Sequence, residues 1–148
     1  MIGYLDTSAF VPLLIDEPAS EACRRFWNDA DVVVSSRLLY VETAAALAQA
    51  RWLGRLTDGD HFQGRRRLDQ MWFEMDAIEV DEQVVSRAAD LVHRVSLRGY
   101  DAVHCASAEQ LDDDDVVAAS GDQRLLTAWL ELGIATYDIN QKATPEPE

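Results

Sequence analysis

The sequence predicts an α/β domain built on a parallel sheet, and two observations carry that prediction. Short apolar runs of strand length alternate with longer amphipathic stretches through almost the whole chain, the pattern that βαβ units produce. The chain also has the size and balance of one globular domain, with 148 residues, 48% hydrophobic and 27% charged. A chain of this length buries about two-thirds of its unfolded surface.

The elements follow in order. Ile2–Leu5 is the first strand and ends at Asp6. Thr7–Ile15 reads as a short helix that Pro12 limits or bends. Pro18–Asn28 is a second helix and Val32–Ser35 the second strand. Arg37–Leu53 is a long helix closed by Gly54. Asp58–Met75 continues helical, carrying Arg65-Arg66-Arg67 and then Met71, Trp72, Phe73 and Met75. Ala77–Val80 is a strand, and Glu82–Leu97 a helix ended by Gly99. Asp101 opens a helix over Ala102–Leu111. Val116–Ala119 is a strand, Gln123–Leu132 a helix and Ile134–Tyr137 the last strand. A single domain is expected over 1–139, followed by a disordered tail over 140–148 that carries Pro145 and Pro147.

Several segments bound the function without carrying it. The opening IGYL is too short, and too uncharged upstream, for a signal peptide, and no run reaches membrane-spanning length. Cys23 and Cys105 are far apart and lack metal-ligand spacing, so two reduced, buried thiols in a cytoplasmic protein are expected. The run Asp112–Asp115 reads as an exposed, solvated turn and is assigned no chemistry.

Net charge is −14, with a pI near 4.4. Such a balance argues against a general nucleic-acid binder, which carries a basic face. The positive charge is almost all arginine; the one lysine is Lys142, in the tail. Arginine holds phosphate through a planar fork, so a few well-placed residues suffice locally. Arg51, Arg55 and Arg65-Arg66-Arg67 are the clearest clusters, with solvated helix faces as the plain alternative.

Four acids stand out. Asp6 follows the first strand and Asp122 comes just after Val116–Ala119, past Ser120 and Gly121. Both lie at the carboxyl edge of a parallel sheet, where ligands bind. Asp101 opens a helix. Each Asp also suits an N-cap, and one carboxylate can serve as cap and ligand together. Glu42 falls in a stripe of Leu38, Ala45, Ala46 and Gln49, an acid placed inward against the helix's own pattern. A buried pair with Arg37 or Arg98 is its alternative reading. Four acids brought close repel one another unless a divalent ion neutralises them, which points to a Mg2+ or Mn2+ site. His61 and His93 are expected on helix surfaces, and His104 as a satisfied interior histidine, with lining the groove as the alternative.

Leu5-Asp6-Thr7-Ser8, Val41-Glu42-Thr43, Tyr100-Asp101-Ala102 and Ser120-Gly121-Asp122, in this order and spacing, resemble the PIN-domain family, and within it the VapC-type toxins of toxin–antitoxin pairs. The resemblance covers nearly the whole chain. It implies a three-layer α/β/α sandwich with a central parallel sheet, and a dimeric, Mg2+- or Mn2+-dependent endoribonuclease. It also implies a cognate antitoxin whose C-terminal segment enters the active-site groove. Asp6, Glu42, Asp101 and Asp122 match the family's acidic quartet, with Asp6 and Asp101 the foremost metal ligands. Ser8 and Ser120 match hydroxyls that orient a carboxylate or water. Many relatives place an aromatic residue soon after the last acid, where this chain has Gln123-Arg124-Leu125.

Metal-activated water attacking an RNA phosphodiester is the chemistry so implied. Trp52, Phe62, Trp72 and Phe73 are expected to form a dimer seam and antitoxin groove, with core packing as the alternative. Two other phosphate chemistries fail on required residues. A receiver domain needs an acidic neighbour for Asp6 and a late lysine, and a haloacid-dehalogenase-like phosphatase needs an Asp where Ser8 stands. A catalytically silent scaffold that binds a partner through the groove stays open.

Overall fold

The computed structural model describes residues 1–141. Five strands form one parallel sheet: β1 Ile2–Leu5, β2 Val32–Ser36, β3 Asp76–Ile78, β4 Val116–Ser120 and β5 Ala135–Asp138. Their order is β3-β2-β1-β4-β5, so the chain steps outward on one side of β1 and then returns to its other side. The carboxyl edges of β1 and β4 therefore form the topological switch point, where α/β sheets leave a crevice for ligands. Register is direct: Ile2 lies opposite both Val32 and Val116, and Leu5 opposite Ala119.

Seven helices among the described residues cover the two faces: α1 Thr7–Phe10, α2 Ser20–Asp29, α3 Leu39–Trp52, α4 Asp58–Trp72, α5 Glu82–Arg94, α6 Gly99–Gln110 and α7 Gln123–Glu131. The two-residue period of the strands decides which side chains meet which layer. Tyr4, Val34, Val116 and Ala118 pack with Val84, Leu91, Ala102, Cys105 and Trp129, from α5, α6 and α7. Leu5, Val33 and Ala119 pack on the other face with Phe10, Leu13, Cys23, Phe26, Leu39 and Leu68. The architecture is the α/β/α sandwich that the resemblance implies. Gly3 permits the close approach of α2, because a Cβ there would sit 2.9 Å from Ala30 Cβ and 3.1 Å from the Phe26 ring.

Five helices differ most from the sequence expectation, two of them only by ending three residues early, α4 at Trp72 and not Met75 and α5 at Arg94 and not Leu97. The helix expected over Thr7–Ile15 is one α turn followed by a 3-10 turn, Val11–Leu13, with Pro12 at its start. Gly54, at φ +76°, closes α3 as expected, but the inward stripe of α3 is Leu39, Thr43, Leu47 and Ala50. Ala45 and Gln49 are exposed, and Glu42 lies at the flank of the buried face. An alanine-rich helix offers little contrast between its faces, so its phase is hard to read from sequence. Finally, α6 begins at Gly99 with Arg98 as its N-cap residue, so Asp101 stands in the first turn and does not open the helix.

Cys23 and Cys105 are free and buried, and burial pushes each thiol up to about 12. Asp112–Asp115 is an exposed turn, as expected. The expected disordered tail lies outside the described residues over 142–148. Its first residue, Asn140, donates from its backbone N–H to Asp138 Oδ1. No helix among the described residues is long and apolar enough to cross a membrane.

Candidate active site at the sheet switch point

Four separate elements deliver the four acids to one cavity of about 650 Å³. Asp6 leaves β1 and caps α1, accepting the Ala9 N–H at 3.1 Å. Asp122 follows β4 and caps α7, accepting the Arg124 N–H at 2.9 Å. Asp101 comes from the first turn of α6 and Glu42 from that of α3. Asp6 and Asp122 are therefore caps and cavity-lining carboxylates together. Their hydrogen-bonded backbone partners fix where the side chains stand.

Asp6 is the deepest of the four, 4% exposed. Its Oδ1 accepts from Ser8 Oγ at 2.7 Å and its Oδ2 from Ser120 Oγ at 2.6 Å. Burial pushes this carboxyl above its ordinary value, opposed by His104, by the two serine hydroxyls and by the Ala9 N–H. Ser120 also accepts the Asp122 N–H at 2.9 Å, and Ser8 accepts the Gly121 N–H at 2.8 Å. The two serines thus tie the end of β1 to the end of β4.

Glu42 pairs with neither arginine considered from sequence. Arg37 binds Glu79 instead. Glu42 Oε1 lies 2.8 Å from His104 Nε2 and accepts from Thr7 Oγ1 at 3.1 Å. Asp101 and Asp122 share one cation: Arg98 Nε is 3.2 Å from Asp101 Oδ2, and Arg98 Nη2 is 3.9 Å from Asp122 Oδ2. The side chains of Glu42, Asp101 and Asp122 are 22%, 19% and 26% exposed, so all three reach solvent while Asp6 scarcely does.

Sequence reasoning missed the roles of Thr7 and Arg98 in this network, whereas His104 is the satisfied interior histidine expected, buried, bonded at both ring nitrogens and lining the cavity. His104 carried a readable signal: it lies one helical turn from Asp101, on the same face of α6. Thr7 adjoins Asp6, but nothing in its spacing points to Glu42.

The donor set is hard: carboxylate oxygens with hydroxyls behind the buried one, the chemistry that suits Mg2+ or Mn2+. As the side chains stand, no three acid, histidine or cysteine groups among the described residues converge tightly enough to hold an ion. Arg98 supplies the positive charge at Asp101 and Asp122.

A family model described as PIN domain matches residues 3–128. Among curated proteins, the chain is 39% identical over 124 residues to Ribonuclease VapC45 of Mycobacterium tuberculosis, covering 84% of this chain and 86% of that one. It is 35% identical over 132 residues to Ribonuclease VapC46 of the same species, covering 89% and 93%. Among solved structures, it resembles FitAcB from Neisseria gonorrhoeae with a TM-score of 0.71 at 19% identity, covering 94% of this chain and 98% of that one. The family match spans the strands and helices that deliver all four acids, and this chain belongs to the PIN domain family.

Proposed function

We propose that this chain is a metal-dependent endoribonuclease, the toxin of a toxin–antitoxin pair. The observation that carries the reading is the meeting of Asp6, Glu42, Asp101 and Asp122, from four elements, in one cavity at the switch point. The ribonuclease names of the VapC relatives support RNA as the substrate.

Asp6 and Asp101 would hold a Mg2+ or Mn2+ ion, with Glu42 and Asp122 completing its surroundings. Arg98, whose side chain is 82% exposed, would swing away from Asp101 and Asp122. Bound there, the ion supplies Lewis acidity toward the phosphodiester and lowers the pKa of water. The chain's own residues do the rest. Ser8 and Ser120 hold the Asp6 carboxylate in one orientation. Arg98, exposed and released from the carboxylates, presents a guanidinium fork to a backbone phosphate. Local arginine charge at that point offsets the repulsion between RNA and a chain of net charge −14.

Two protein partners follow. The cognate antitoxin offers a basic segment that pairs with the acidic cavity. A second copy of this chain covers the exposed Val41 and Phe73, which line a surface cavity with Tyr40 and Trp72. Free, buried thiols fit a reducing cytoplasm.

Incubation of RNA with purified protein, in Mg2+ or Mn2+ against EDTA and beside Asp101→Asn, tests the reading. Cutting that needs the metal and is lost in the variant is the expected result. Intact RNA throughout, with no heat of metal binding, would favour the silent scaffold instead.

A further inference from the structure

We propose that His104 is a positioning residue for Glu42, with Tyr4 behind it selecting which imidazole nitrogen faces the acid. The proposal rests on Glu42 being a working carboxylate of the site.

The three side chains form a line from the middle of the sheet to the cavity. Tyr4 lies on β1, hydrogen-bonded on both sides by β2 and β4, and its ring packs edge-on against Trp129 at 5.8 Å. Its hydroxyl is 2.8 Å from His104 Nδ1, and His104 Nε2 is 2.8 Å from Glu42 Oε1. Both Tyr4 and His104 are buried, so each polar atom needs a partner inside the protein.

The direction of the hydrogen bonds follows from the neighbours. A phenol keeps its proton at neutral pH. Ser35 and Ser107, the other hydroxyls near it, spend their protons on the carbonyls of Leu5 at 2.5 Å and Val103 at 2.7 Å. Neither donates to Tyr4. His104 Nδ1 is the one atom in hydrogen-bonding geometry with the Tyr4 hydroxyl among the described residues; with the phenol proton directed there, the imidazole proton stays on Nε2, and Nε2–H donates to Glu42 Oε1. Thr7 Oγ1 donates to the same oxygen. Two donors on Oε1 fix the carboxylate plane and leave Oε2 without a hydrogen-bond partner among the described residues. A carboxylate held by one oxygen, with the other left available, is how an outer partner prepares a ligand.

A histidine that merely fills the core would affect stability alone, so the test reads what stability does not move. His104→Leu keeps volume and removes both hydrogen bonds. His104→Gln restores an N–H donor toward Glu42. Affinity for Mn2+ by titration and kcat on RNA are expected to fall about 10–100-fold in His104→Leu, with KM for RNA little changed and recovery of both in His104→Gln. In a Glu42→Gln background, His104→Leu is expected to cost no further Mn2+ affinity. Wild-type affinity and kcat in His104→Leu, or an equal loss in both backgrounds, would overturn the proposal. Histidine 15N spectra of the purified protein at one neutral pH form an arm independent of activity. The proton is expected on Nε2, and a ring protonated at Nδ1 would overturn the proposal. Wild-type protein that cuts no RNA while its ring carries the Nε2 proton would sink the ribonuclease reading and sustain the hydrogen-bond line.

Discussion

The two edges of one sheet each gather acids, and only one edge makes a site of them. At the amino edge, Asp31 and Asp115 flank the N-terminal amine, and Asp112, Asp113 and Asp114 extend the cluster into water. The hydrogen bond from Met1 lowers the Asp31 carboxyl below its ordinary value. At the carboxyl edge, Asp6 is buried and held by three donors, and burial raises it instead. The amino-edge acids are solvated at little cost, whereas burying a charge without full pairing costs free energy. Proximity of like charges is thus cheap in solvent and expensive in a crevice. The fold sustains the expensive arrangement only at the switch point, where helix N-termini and serine hydroxyls supply donors.

That contrast can be broken most sharply by exchanging charge for amide at each edge. Asp101→Asn is expected to abolish RNA cleavage, while Asp113→Asn and Asp114→Asn leave it unchanged. Equal losses at both edges, in a cleavage assay, would mean that overall charge and not the crevice governs activity.

Ser120→Ala comes next in size. It leaves Asp6 Oδ2 and the Asp122 N–H without their shared partner, at a cost of about 1–3 kcal/mol for groups so buried. Denaturant unfolding measures it. An unchanged midpoint would show that water replaces the hydroxyl.

A smaller effect has the opposite sign. Because Asp6 has a raised carboxyl in the fold, the native state holds its proton to higher pH than the unfolded chain does. Stability from this group is therefore full at low pH and lost as pH rises through the folded value. Asp6→Asn, which carries no charge, is expected to melt about 2–4 °C higher than the parent at pH 7, with the gap closing as the buffer is acidified. A variant that melts lower at neutral pH would mean that the amide disturbs the three donors more than the charge did. The smallest effect belongs to the amino edge: Asp31→Asn is expected to leave melting temperature and cleavage where they are, since its partner is an exposed amine.

Much of this was legible along the chain. Every strand was expected within a residue or two of its observed bounds, because apolar runs between Gly, Asp and Ser turns mark buried parallel strands clearly. Asp6 and Asp122 were readable as edge residues for the same reason. Glu42 was singled out on a misphased stripe: the true inward face, Leu39, Thr43, Leu47 and Ala50, is one position over. Asp101 was expected to open a helix that in fact starts at Gly99, since glycine and the following Tyr100 gave no helical signal.

The sequence by itself determined the strands, the parallel α/β class and the identity of the acids, because hydrophobic period and turn chemistry are local properties. Only the tertiary structure decided the partners. That Ser8 and Ser120 serve one carboxylate, that Arg98 bridges Asp101 and Asp122, and that Tyr4 reaches Glu42 through His104 depend on β1 lying between β2 and β4. Strand order brings residues together across the chain's length, and no local pattern encodes which hydrogen-bond donor will meet which acid.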